Sequence, residues 1–98
     1  MAKPIKMEII DSLRGLVEHM VREIVAHPAE VAVDVVPASY RLVVELRTNE
    51  DDVGYVIGQG GHVVTGVRSI LAAFGRKHGI HITMDYVTEQ EKRLGQVH

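Results

Sequence analysis

The chain of 98 residues has no cysteine, no tryptophan, a single phenylalanine, three tyrosines and three prolines. Without cysteine there are no disulfides, no thiolate metal sites and no cysteine nucleophile. With hydrophobic residues at 46% and aromatics at only 4%, the core must be built from Val, Ile and Leu. No apolar run approaches the roughly 20 residues of a membrane span. The opening stretch MAKPIKMEIID is broken by Glu8 and Asp11, unlike the apolar segment of a secretory signal. These absences lead to the expectation of one soluble, cytoplasmic domain, long enough to bury a single core without covalent staples.

Negative charge is missing from one continuous part of the chain. The net charge is −2, which argues against a strongly basic nucleic-acid clamp. Yet no Asp or Glu occurs from Val53 to Met84, where Arg68, Arg76 and Lys77 supply the only full charges. Removing those three from the eleven basic residues leaves eight against all thirteen acids elsewhere, a balance of −5. An electropositive segment is thus set into an acidic protein.

What is present reads as a short series of elements. Ile9, Ile10, Leu13, Leu16, Val17, Met20, Val21, Ile24 and Val25 recur at helical spacing, and the stripe stops before His27–Pro28, where proline disfavours continuation. EVAVDVV (30–36) is rich in β-branched residues, and YRLVVELR (40–47) alternates around Leu42, Val44 and Leu46. The two read as a hairpin turning at Pro37–Ala38–Ser39. Asn49 is a candidate N-cap, and Glu50, Asp51 and Asp52 occupy a first turn where acids suit the helix dipole. That helix is cut short by Gly58. A longer one opens near Gly61 and ends at Gly79, with Arg76, Lys77 and His78 in its last turn. IHITMDYV (80–87) is a final strand with Ile80, Ile82, Met84 and Tyr86 on one face. The last strand follows the second through a helical crossover, so the two should be parallel neighbours. The fold class is α+β, order α-β-β-α-α-β, with a three-stranded mixed sheet and helices on one face. The polar end TEQEKRLGQVH (88–98) reads as a tail or, from the capping-box spacing of Thr88 and Glu91, a short helix.

Five of the nine glycines fall in VGYVIGQGGHVVTGV (53–67), although each costs about 0.5–1 kcal/mol inside a helix. A dinucleotide fingerprint starting at Gly58 would need glycine at Val63 and a strand before it. A P-loop from Gly61 to Gly66 would need Lys and Ser or Thr where Val67–Arg68 stand. What remains is Gly58–Gln59–Gly60–Gly61 between two helices. Such a turn lets a ligand approach bare backbone, and the following helix offers unpaired N–H groups suited to phosphate.

DDVGYVIGQGGHVV, in this element order, resembles the K-homology (KH) family of single-stranded nucleic-acid binders. The extra helix and strand at the N-terminal side are those of the type II arrangement. More narrowly, LVEHMVREIVAHPAEVAVDVV followed by VVELRTNEDDVGYVIGQGG is similar to the small, KhpA-like single-KH RNA-binding proteins of bacteria. The resemblance spans about Leu13 to Val87 and implies a single KH domain over 1–87. It implies that Gly58, Gln59, Gly60 and Gly61 clamp the sugar-phosphate of single-stranded RNA, with about four nucleotides along an adjoining apolar groove. Val56, Ile57 and Val64 are candidates for that groove's floor, burial beneath the surface being the alternative. Arg68, two turns into the helix, is a candidate to face the ligand, and His62 at the helix start is another. The partners implied are RNA and either a second copy of the chain or a larger KH-containing RNA-binding protein. RNA chaperone or regulatory activity is implied, without a cofactor, a metal or catalysis. The chain departs from the family in placing Gln59, Gly60 and His62 where Lys or Arg is common, which predicts modest affinity.

Plainer readings stand beside these. One reading gives the loop's glycines only a helix–turn–helix connection, although one αL cap does not need three. Gly54 and Gly66, on helices, read as small residues at packing contacts. His78 and His81 straddle a glycine and have no third ligand near in sequence. Asp51–Asp52 read as acids at a helix start rather than a catalytic pair. Arg76–Lys77 reads as a solvated helix end, and any part of the N-terminal helical stripe left outside the core would favour a partner.

Overall fold

The computed structural model of the chain describes residues 5–87; the polar stretch 88–98, expected as a tail or short helix, lies outside them. Three helices, α1 (Met7–Arg22), α2 (Val53–Ile57) and α3 (His62–His78), pack with three strands, β1 (Ala32–Ala38), β2 (Arg41–Arg47) and β3 (His81–Tyr86). The sheet order is β1-β2-β3, with β1 antiparallel and β3 parallel to the central strand. This is the α+β arrangement and mixed sheet that the sequence predicts.

One face of the sheet carries the core. Leu42, Val44 and Leu46 alternate along β2 and are fully buried, and their cross-strand neighbours include Val33, Ile82 and Met84. From α1 they receive Leu13, Val17 and Val21, and from α3 Val67 and Leu71, all buried. Burying a Leu or Val side chain contributes roughly 1.5–3 kcal/mol, so this aliphatic set supplies the drive that aromatics supply elsewhere. The N-terminal stripe overshoots its helix: α1 ends at Arg22, and Ile24 and Val25 lie in the turn that follows.

The hairpin differs from expectation. Pro37 and Ala38 belong to β1, paired with Leu42 and Arg41, and only Ser39 and Tyr40 form the turn. Proline is tolerated because β1 is an edge strand, where a missing donor can face away from the ladder. Among the described residues, none other than glycine has positive φ, so Ser39–Tyr40 is not one of the primed turns that two-residue hairpins favour.

Asp52 also departs from its sequence reading. It is fully buried, and its carboxylate accepts the backbone N–H groups of Ala26 and His27, both at 3.0 Å. Rather than supporting a helix dipole from solvent, it ties the turn after α1 to the start of α2. Burial raises the pKa of the nearby Tyr86 hydroxyl, opposed by its hydrogen bond with Thr48 and reinforced by the Asp52 charge.

Candidate functional site

The glycine stretch begins from a firmly held helix start. The Asn49 side chain accepts the Asp51 N–H at 2.8 Å and donates to Glu30 at 2.9 Å. Helical turns at Glu50–Asp52 and in α2 then carry the chain to Gly58. Val56 is 3% exposed and packs in the core, the burial beneath the surface that stands as the alternative to a place on the groove floor. Ile57, on the other side of α2, is 39% exposed, and Tyr55 is exposed as well. Val64 is half-buried against the core.

Between α2 and α3, three glycines take conformations that other residues resist. Gly58, Gly60 and Gly61 have φ of 74°, 64° and 77°. Gly58 has a second constraint, since an added Cβ would stand 2.5 Å from a Val63 side-chain methyl. At Gly61 an added Cβ would meet nothing within 4 Å. The conformation of the turn therefore accounts for all three loop glycines. The contacts do not account for Gly54 and Gly66: both are exposed, and nothing lies within 4 Å of an added Cβ. The packing role expected for those two is corrected accordingly.

The bend leaves polar backbone at the surface. The N–H groups of Gly61 and His62 are satisfied within the turn, by Gly58 and Gln59 respectively. Among the described residues, no backbone or side-chain acceptor takes the N–H of Gln59 or Gly60. Both residues are exposed, and the His62 imidazole lies 3.6 Å from where a Gly60 Cβ would stand. Two free donors, an imidazole and the positive end of a 17-residue helix thus converge at one place. No carboxylate occurs in the sequence from the loop to Met84.

Arg68 lies farther along α3 and reaches across to β3, where its guanidinium donates to the Met84 carbonyl at 3.2 Å. It borders a cleft of about 170 Å³ with Leu71, Ile82, Thr83 and Met84. β3 is the outer strand of the sheet, so this seam is an apolar slot with an open backbone edge beside a cation. Ile82, Thr83 and Met84 were not singled out in the sequence as site residues. Their alternation marks the strand, but its place at the sheet edge beside α3 depends on tertiary structure. No three His, Asp or Glu side chains converge among the described residues in a way that could hold a metal ion, and none of their helices is long and apolar enough to cross a membrane.

A family model described as KhpA/KhpB, KH domain matches residues 14–85. A Mycobacterium tuberculosis protein named RNA-binding protein KhpA is 41% identical over 66 residues, spanning 67% of this chain and 81% of its own. Proteins of the same name from Aquifex aeolicus and Thermotoga maritima are similar too. The first is 32% identical over 76 residues, covering 78% of this chain and 96% of its own. The second is 38% identical over 61 residues, covering 62% and 81%.

Proposed function

The chain belongs to the KhpA/KhpB KH-domain family, and from that premise we propose that it is a cytoplasmic protein that holds short single-stranded RNA at the Gly58–Gly61 turn. It is a binding protein rather than an enzyme. The observation that carries the reading is the pair of unpartnered backbone N–H groups, Gln59 and Gly60, exposed at the start of α3. A phosphate oxygen set there accepts both donors and lies at the favourable end of the helix dipole. Ile57 and His62 flank it, Val64 packs behind it, and bases run toward the seam that Arg68 borders. The single KH domain then comprises 1–87. Because the contacts are to backbone and sugar-phosphate, sequence stringency is low, which suits an RNA chaperone or post-transcriptional regulator.

A second reading is favoured by one observation: Gln59, Gly60 and His62 give the loop no permanent positive charge. On that reading the fold serves assembly, as a homodimer or with a larger KH-containing RNA-binding protein, and RNA is held weakly or not at all. The variant Gln59→Asp/Gly60→Asp separates the two. Both positions are exposed, and aspartate tolerates the left-handed region better than most residues. Binding of labelled single-stranded RNA at low salt should weaken by about tenfold or more as two carboxylates meet phosphate. Equal binding by the variant to an RNA of about four nucleotides, with circular dichroism showing it folded, removes the loop from RNA binding, and absence of RNA binding by the wild type at low salt decides for assembly.

A further inference from the structure

The chain's cations divide into paired and unpaired sets. Arg14 lies 2.9 Å from Asp11, Arg22 3.0 Å from Glu18, and Arg47 3.1 Å from Asp34. Among the described residues, Lys6, Arg41, Arg68, Arg76 and Lys77 form no ion pair. Arg41, Arg76 and Lys77 lie at one end of the molecule. Arg41 opens β2 directly beside His81, which opens β3. Lys77 and His78 close α3 only a few residues earlier, a length of chain that spans at most roughly 14 Å. The glycine loop is at the opposite end of α3, about 25 Å away at 1.5 Å per residue.

At the same end, Tyr40 is 92% exposed in the β1–β2 turn, beside an open cleft of about 380 Å³ that Arg41 and His81 help to line. Turn chemistry does not call for it, since turns draw on Gly, Pro, Asn, Asp and Ser. The outer sheet face adds polarity. Asp34, Glu45 and Asp85 stand side by side across its three strands, whereas the row nearest the turn is Ala38, Arg41 and His81. A polyanion is repelled by the first row and accepted by the last.

We propose that this hairpin end, Tyr40 and Arg41 with His81 and Lys77, is a second contact for single-stranded RNA. It takes nucleotides that continue from the glycine loop past the α3–β3 seam. The Tyr40 ring is a stacking platform for a base, a contact that tolerates any sequence, and Arg41 and Lys77 meet phosphates. This extends the RNA-binding reading and rests on it: the loop and seam take up about four nucleotides, and only a longer strand reaches the hairpin. A charge-poor loop is thereby supplemented by cations at the other end of the same path.

The test compares oligoadenylates of about four and about twelve nucleotides by fluorescence anisotropy, using the whole chain and a Tyr40→Ser/Arg41→Gln variant. The variant should bind the longer RNA about tenfold more weakly, bind the shorter one as wild type does, and show a salt slope on the longer RNA reduced by about 0.7. If it binds both lengths like wild type, the hairpin contact is overturned and the loop reading stands. If the hairpin variant is impaired on the longer RNA while Gln59→Asp/Gly60→Asp binds normally, the loop reading falls and the hairpin contact survives. If wild type binds neither length at low salt, both fall.

Discussion

The chain enters and leaves α2 by two bends of opposite construction. The first, Thr48 to Asp52, contains no glycine and is held by side chains: Asn49 bonds Asp51 and Glu30, Thr48 bonds Tyr86, and buried Asp52 bonds Ala26 and His27. The second, Gly58 to Gly61, makes no side-chain hydrogen bond among the described residues and leaves two backbone donors open. Only five residues of α2 separate them. A bend held by side chains cannot also offer its backbone, and a bare bend cannot hold itself. The first bend fixes where the second one points.

That division of labour is most exposed to failure at Asp52. In Asp52→Ala two part-buried N–H groups, of Ala26 and His27, lose their acceptor. Each such loss costs roughly 1–3 kcal/mol, so stability should fall by about 3 kcal/mol in chemical denaturation. RNA affinity should fall with it even at temperatures where the variant is folded, because α2 is released from α1. A variant within about 1 kcal/mol of wild type would mean that the first bend holds itself without this carboxylate.

The second bend is tested more gently through His62. An imidazole beside phosphate is favoured in its protonated form, so the bound state takes up a proton and affinity rises as pH falls. The expected gain between pH 7.5 and 5.5 is about threefold to tenfold, measured with an RNA of about four nucleotides so that His81 at the hairpin takes no part. His62→Ala should flatten the profile. An unchanged profile assigns the proton elsewhere and leaves the bend with its backbone donors alone.

How much of this was legible in the sequence follows from the same contrast. The bare bend was readable because its demands are local. Three positive-φ residues in four positions are met most readily by glycine, and Gly58–Gln59–Gly60–Gly61 states that directly. The helical spacing of α1 and the alternation of Leu42, Val44 and Leu46 are local signals too. Asp52 was read as a helix-start acid because its partners, Ala26 and His27, are about 25 positions away, and nothing in the spacing announces a contact at that range. Pro37 was read as a turn because its tolerance depends on β1 being an edge strand, a property of the sheet. Val56 and Ile57 are neighbours in sequence with opposite burial, which a five-residue helix is too short to announce by periodicity.

Gly66 gives the smallest and most discriminating measurement. It lies inside α3, is exposed, and has nothing within 4 Å of an added Cβ, so neither conformation nor packing explains it. If it is a plain helix glycine, Gly66→Ala should stabilise the fold by about 0.5–1 kcal/mol, since alanine loses less backbone freedom on folding. RNA affinity should then stay within about twofold of wild type, a difference of less than half a kcal/mol, because the bare backbone that matters ends at Gly61. Stabilisation with unchanged binding confines the site's glycine requirement to the second bend. Stabilisation accompanied by weaker binding would extend the bare surface one turn into α3, and the glycine would then be serving close approach of the ligand rather than the fold.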